Sequence, residues 1–254
     1  GRSIADVSLL TPSILRAGAT QSLPGRTVTH VSRRAKLLRL HLDNGGLLVF
    51  HLKMTGRVWV AGPGLPLPKH THLVCGLDGG DRLVFEDTRR FGYCAVFGPG
   101  EIDQWDFFRN LGPEPLDKCF TAKEMQSILK KHSAPIKAVL CDQTALAGVG
   151  NMYADEALFD AGIHPERKAN SLSGGETKRL HRAIVAVLTK AIEGGGASIS
   201  DYTRPDGTSG ESQFAFKVAH RSGGRCPSCG TQIKRIPIRK RGTYFCPKCQ
   251  GKNI

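Results

Sequence analysis

The chain has 254 residues, 40% of them hydrophobic and 23% charged, enough for two modest soluble domains or one large domain with an appendage. No apolar run reaches eighteen residues, so no transmembrane helix is expected, and the opening GRSIADVSLL lacks the apolar core and small-residue cleavage pattern of a signal peptide. The formal net charge of +14 points to a polyanionic partner, either nucleic acid or an anionic membrane surface, and it is unevenly spread: residues 212–254 hold ten Lys/Arg and no Asp or Glu.

In chain order, the first predicted elements are strands. KLLRLHL (36–42), the turn DNGG (43–46) and LLVFHL (47–52) form a hairpin pattern, with turn chemistry between two apolar runs. HLVCGL (72–77), DGGD (78–81) and RLVFED (82–87) repeat it after the Pro/Gly loop AGPGLPLPK (61–69). Antiparallel β structure is therefore predicted over 27–97, as a sandwich or flattened barrel. LGPEPLD (111–117) reads as a boundary, after which the periodicity becomes helical. Helices are expected within 121–132, 134–142 and 151–162, and the clearest spans 173–196. There Ser173 and Glu176 make a capping box, Leu180, Ile184, Val187, Leu188 and Ile192 follow helical spacing, and Gly194–Gly196 end the run. Residues 201–212 have a loop's composition.

The cysteines fall into two groups. Cys75, Cys94, Cys119 and Cys141 are scattered and read as ordinary buried thiols of a reducing cytoplasm. Cys226, Cys229, Cys246 and Cys249 form two CxxC pairs bracketing sixteen residues. Two tight turns supplying two soft ligands each build a tetrahedral zinc site, a better reading than paired redox motifs. The intervening IKRIPIRKRGTYF (233–245) would then be a hairpin with Arg and Lys at its tip, folded by the metal because so small a unit has little core of its own.

Three other stretches carry weaker signals. In AGVGNMYADEAL (147–158), Gly148 and Gly150 allow a tight turn and Asn151 can cap the helix that follows, which makes a phosphate seat; composition alone favours an ordinary helix junction. In FHLKMTGRV (50–58) and FEDTRRFGYC (86–94), Met54 and Phe91 stand at strand ends beside cations. Core packing is the usual fate of such residues, but an apolar side chain next to Lys53 or Arg89 and Arg90 also suits a wedge pushed into a base stack.

Taken together, RRAKLLRL, HLKMTGRV, KHTH, DTRRFG, LGPEPL, AGVGNMYADEALFDAGIHP and the terminal CPSCG…RGTYFCPKCQ, in that order, resemble the formamidopyrimidine-DNA glycosylases of bacterial base-excision repair. The resemblance implies an α+β multidomain fold: an N-terminal β-sandwich (1–112), a helical helix–two-turn–helix domain (113–211) and a C-terminal zinc-ribbon hairpin (212–254), with DNA in the cleft between. It implies a monomeric DNA glycosylase with AP-lyase activity in the bacterial cytoplasm, associated with the nucleoid. This enzyme removes oxidised purines (8-oxoguanine, formamidopyrimidines) from double-stranded damaged DNA by base flipping and a Schiff-base intermediate.

By the same pattern Met54, Arg89 and Phe91 fill the gap left by the extruded base, with Arg89 facing the orphaned cytosine. Lys137 and Asn151 hold phosphates around the flipped nucleotide, and His70 contacts DNA. Lys36 serves β-elimination, Arg241 grips a phosphate and assists the second elimination, and the loop near 204–213 closes over the lesion. One structural zinc ion, on Cys226, Cys229, Cys246 and Cys249, is the only cofactor implied. The family pattern opens on a proline nucleophile followed by glutamate, and neither stands in this chain. The expectation adopted is a chain lacking its first block. The alternatives are a catalytically inactive damage-binding protein of the same fold and a free-standing zinc-ribbon nucleic-acid module.

Overall fold

A computed structural model describes residues 1–197 and 210–251. They form two compact units, Gly1–Asn110 and Leu111–Ala197 joined by the chain from Gly210.

The first unit is built from eight strands, β1 (Arg2–Leu9), β2 (Thr27–Arg34), β3 (Leu37–Leu42), β4 (Leu47–His51), β5 (Gly56–Ala61), β6 (Thr71–Leu77), β7 (Arg82–Asp87) and β8 (Tyr93–Phe97), and a short helix α1 (Asp106–Arg109). All strand pairs are antiparallel, in the order β5-β7-β6-β1-β2-β3-β4-β8. β1 belongs to both halves. Arg2 and Ser3 pair with β2, and Ile4 to Leu9 run against β6 with a register shift between Ile4 and Asp6. The two halves close on one core, where Leu40, Leu48 and Phe50 meet Leu73, Leu83 and Phe85. Phe50 and Phe85 are fully buried with ring centroids 5.3 Å apart, each worth about 1.5–3 kcal/mol of transfer from water. This is a β-sandwich.

β4 is buried on both faces: Leu48 and Phe50 point into that core, while Leu47 and Val49 pack with Ala95, Phe97 and Ile102 under Trp105, Phe107 and Phe108. The β3–β4 turn forms where DNGG predicts it. Gly45 takes φ +79°, and Asn44 accepts from the Gly46 N–H.

The second unit carries α2 (Ala122–Lys130), α3 (Ile136–Leu140), α4 (Asn151–Asp160) and α5 (Gly174–Glu193). Both long amphipathic helices start with a full capping box, Ser173–Glu176 on α5 and Thr121–Glu124 on α2. Their apolar faces, with Met125, Leu129, Leu180 and Ile184, meet Ile136, Leu140, Leu146 and Leu158 in one core. Here α4 is enclosed, with Ala154 through Phe159 all buried, including the two acids Asp155 and Glu156.

The ribbon strands β9 (Lys234–Ile238) and β10 (Arg241–Phe245) pack into this same unit. Phe159 of α4 shares a cluster with Val218, Cys226, Ile233 and Cys246. Gln250, fully buried, donates to the Ile163 carbonyl at 2.9 Å and accepts from the Cys246 N–H. Two expectations change. Asn151 is not the cap of α4, because Gly150 occupies that position and Asn151 is the first helical residue. Cys119 is exposed, unlike Cys75, Cys94 and Cys141, because it lies in a surface turn in which the Asp117 carboxylate accepts the Cys119 N–H at 2.9 Å.

Candidate nucleic-acid interface

In the first unit the residues expected to act as a wedge come together. Asp87 ends β7 with its carboxylate fully buried, and three donors close on it. Thr55 Oγ1 donates to Oδ1, the Arg89 N–H to Oδ1 at 3.2 Å, and the Gly92 N–H to Oδ2 at 2.6 Å. These bonds fold 88–92 into a tight turn in which Arg90 takes φ +55°. Position 92 must be glycine, since a Cβ there would meet the Phe85 ring at 2.9 Å and Asp87 at 3.1 Å. The turn brings Arg89 against both apolar residues: its Nη1 lies 3.4 Å from Met54 Sδ, and its guanidinium lies 5.0 Å from the Phe91 ring centre. Met54 is 59% and Phe91 52% exposed. Two large apolar side chains held outward by a buried carboxylate, with a cation between them, form a surface built to meet something.

A second group lies at the β2–β3 turn and the end of β4. Lys36, half-buried, follows Ala35, which takes φ +53°. Register pairs Leu37 with His51, so Lys36 stands beside His51. His51 is buried and accepts the Lys53 N–H on Nδ1 at 3.1 Å, which fixes Lys53 at φ +53° immediately before Met54. Burial, then repulsion from Lys53 and Lys36, pushes the His51 pKa down to about 4. The Lys53 ammonium and the Arg16 guanidinium both lie over the Tyr93 ring, at 5.4 and 5.8 Å, and burial with Arg16 nearby lowers the Lys53 pKa. His70 adjoins the wedge through its backbone, whose carbonyl accepts the Asp87 N–H at 3.0 Å.

In the second unit, Asn151, Lys137 and the ribbon are joined. Asn151 Nδ2 donates to the Gly242 carbonyl of β10 at 2.9 Å, while its Oδ1 is buried without a partner. Lys137 is not presented to the surface as expected. Its side chain is 1% exposed, and its ammonium donates to the Asn151 carbonyl and to Asp155 Oδ1 at 2.5 Å. A buried ammonium needs a counter-charge, and α4 supplies it. Burial pushes the Asp155 pKa up to about 6 even against the lowering pull of Lys137. Arg241 is exposed and opens β10 after the two-residue turn Arg239–Lys240, where both residues have positive φ. That geometry ordinarily selects Asn-Gly, so two cations there are held against local preference.

The four sulfurs of Cys226, Cys229, Cys246 and Cys249 lie within 4.8 Å of one another, with Cys226–Cys249 at 3.8 Å and Cys229–Cys246 at 3.5 Å. Thiolates about 2.3 Å from a tetrahedral zinc stand about 3.8 Å apart, so the cluster fits one structural zinc ion. Of the expected loop near 204–213, residues 204–209 lie outside the described residues, and Ser212–Ala215 form a single 3-10 turn.

Sequence reasoning missed Asp87, His51, Asp155 and Glu156. Asp155 and Glu156 are buried with partners 18 or more residues away, whereas His51 and Asp87 are buried by the fold and accept backbone N–H groups close by in the chain. Asp87 alone left a trace, as the acid immediately before TRRFG.

A two-layer β unit displaying a Met/Arg/Phe surface and a helical unit fused to a four-cysteine ribbon are the components of a base-excision-repair fold. Residues 1–94 match the formamidopyrimidine-DNA glycosylase N-terminal domain, residues 111–203 the formamidopyrimidine-DNA glycosylase H2TH domain, and residues 223–251 the zinc finger found in FPG and IleRS. The chain belongs to the formamidopyrimidine-DNA glycosylase family. It is 40% identical over 255 residues to the formamidopyrimidine-DNA glycosylase of Desulforamulus reducens, covering 98% of this chain and 92% of that one. The crystal structure of the MutM (Fpg) protein from Thermus thermophilus superposes with a TM-score of 0.91 at 40% identity, covering 100% of this chain and 93% of that one. Lactococcus lactis Fpg in complex with a Fapy-dG-containing DNA gives a TM-score of 0.91 at 34% identity, covering 99% and 94%.

Proposed function

We propose that the chain is a DNA glycosylase of base-excision repair that excises oxidised purines, 8-oxoguanine and formamidopyrimidines, from double-stranded DNA and then nicks the resulting abasic site as an AP lyase. It acts as a monomer. The observation that carries this reading is the Asp87-built turn, which sets Arg89 against two exposed apolar side chains, Met54 and Phe91. Extruding a base from a duplex costs a few kcal/mol, and apolar groups that fill the gap offset it. Arg89 is the member able to hydrogen-bond the orphaned base, since a guanidinium donates in a fixed fork.

In the reaction an amine of the protein attacks C1′ of the lesion sugar, and the base departs with the bonding electron pair and gains a proton. The opened sugar carries an iminium. Loss of a C2′ proton then breaks the C3′–O bond, and a second elimination breaks the C5′–O bond. Lys36 is assigned to the proton transfers of β-elimination, and Arg241 to holding the departing phosphate. Lys137 acts through Asn151: pinned on Asp155, it fixes the Asn151 backbone at the start of α4, and the amide of Asn151 and His70 contact DNA. Met54, Arg89, Phe91 and His70 serve the lesion from segment 1–112, Lys137 and Asn151 from 113–211, and Arg241 and the zinc from 212–254.

The test is borohydride trapping of the native protein, its N-terminal residue read by mass spectrometry, on a duplex with 8-oxoguanine opposite cytosine. A covalent protein–DNA adduct and strand nicking are expected. Tight binding with neither adduct nor nick would overturn the enzyme in favour of a damage-binding protein of the same fold.

A further inference from the structure

Among the described residues, six that are not glycine have positive φ: Ala35, Lys53, Arg90, His220, Arg239 and Lys240. Left-handed backbone is costly for residues with a Cβ, less so for histidine than for most, and where the surrounding structure imposes it, it clusters at functional sites. Five of the six fit one rule. Ala35 precedes Lys36, Lys53 precedes Met54, Arg90 lies between Arg89 and Phe91, and the Arg239–Lys240 turn delivers Arg241. Each strained turn therefore abuts a residue assigned above to DNA. His220, at φ +59°, is the sixth and has no such assignment.

The surroundings of His220 give it the same character. The three residues before it are locked: Glu156, buried in α4, accepts the backbone N–H groups of Lys217, Val218 and Ala219 at 2.8, 2.9 and 2.8 Å. The strain is thus imposed by a rigid approach and is not the drift of a loose loop. The His220 side chain is exposed and stacks on Tyr244 with ring centroids 5.4 Å apart and planes 30° apart. Arg235, paired with Tyr244 across the hairpin, lies 5.9 Å from the same ring. Tyr244 shares a strand face with Gly242, whose carbonyl is held by Asn151. Arg221, next to it in sequence, and Lys234, Arg235, Arg239, Lys240 and Arg241 on the hairpin are exposed cations.

We propose that His220 is a further DNA-binding residue, its ring N–H donating to a backbone phosphate while Tyr244 holds the imidazole plane. The inference rests on the DNA reading above and extends its contact surface along the hairpin.

The experiment uses the full chain and two duplexes of unrelated sequence, followed by fluorescence anisotropy and thermal melting. His220→Gly removes the side chain at a position whose backbone glycine adopts freely. The expected result is a Kd raised about five- to tenfold on both duplexes, as loss of one solvent-exposed hydrogen bond implies, with no fall in melting temperature. His220→Arg, which restores a donor, should recover most of the affinity. An unchanged Kd, a loss confined to one sequence, a loss that tracks a lower melting temperature, or no recovery with arginine would each overturn the contact. Arg241→Ala run alongside separates the two ideas. Weakening by Arg241→Ala but not His220→Gly removes only the histidine, whereas an unaltered chain that binds neither duplex removes the DNA reading and this contact with it.

Discussion

His51 holds the turn beneath Met54, and it does so as a neutral imidazole. Its Nδ1 must accept the Lys53 N–H, and a proton on that nitrogen would break the bond. Burial and two neighbouring lysines place its pKa at about 4 in the folded chain, against about 6.5 for an exposed histidine. The unfolded chain therefore takes up the proton first as pH falls. The stability this residue contributes is complete above about pH 6.5 and is lost progressively towards pH 4, an interval worth about 3 kcal/mol. Urea titrations of the parent protein and His51→Gln at pH 7 and pH 4.5 check this. The variant should be the weaker at pH 7 by about 1 kcal/mol and should lose less between the two pH values. An equal acid loss in both would place the sensitivity on other groups.

At the scale of elements, the ribbon is held by α4 and the turn after it as well as by its metal. Gly242 is held by Asn151, Cys246 by Gln250, and Gln250 by the Ile163 carbonyl, with Phe159 packed against the cysteine cluster. Zinc removal should melt β9 and β10, since a structural site of this kind supplies about 10–16 kcal/mol of folding free energy. It should also release Asn151. Chelation, with metal loss verified by elemental analysis, is expected to abolish DNA binding while the β-sandwich, whose core contains no cysteine of the cluster, keeps its strand signal. DNA binding that survives verified zinc loss would refute a structural role.

The same elements mark what a sequence reveals. The β3–β4 hairpin was legible because DNGG states its turn and the flanking runs are apolar; α5 was legible because Ser173, Glu176 and a 3.6 period agree. β1 was not. Its register against β6 shifts between Ile4 and Asp6, so buried Ile4 is out of phase with half-buried Val7 and Leu9 and no single alternation runs along the strand. Within α4, Asp155 and Glu156 look like a solvated face, yet both are buried. Their partners, Lys137 and the N–H groups of Lys217 to Ala219, lie 18 to 63 residues away. The zinc ligands were legible because chemistry fixes CxxC spacing locally. Asp87 was not, because its role lies in what converges on it.

The whole molecule carries a formal charge of +14, and the residues assigned to DNA are divided between its two units. If both units serve one duplex, the chain should bind one duplex and no more, and its affinity should fall steeply with salt as condensed counterions are released. The two arginines should then differ in kind. On the proposed role of Arg241 at a phosphate, Arg241→Ala should weaken binding alike on all sequences and reduce the slope of log K against log salt by about 0.9. On the proposed role of Arg89 at the orphaned base, Arg89→Ala should leave most of that slope intact and lose discrimination between cytosine and other bases opposite the lesion. Titrations of anisotropy against duplex concentration at several salt concentrations measure all of these quantities. Two duplexes bound per chain, or an Arg89→Ala variant that keeps its opposite-base preference, would show that the wedge and the hairpin do not read the same lesion.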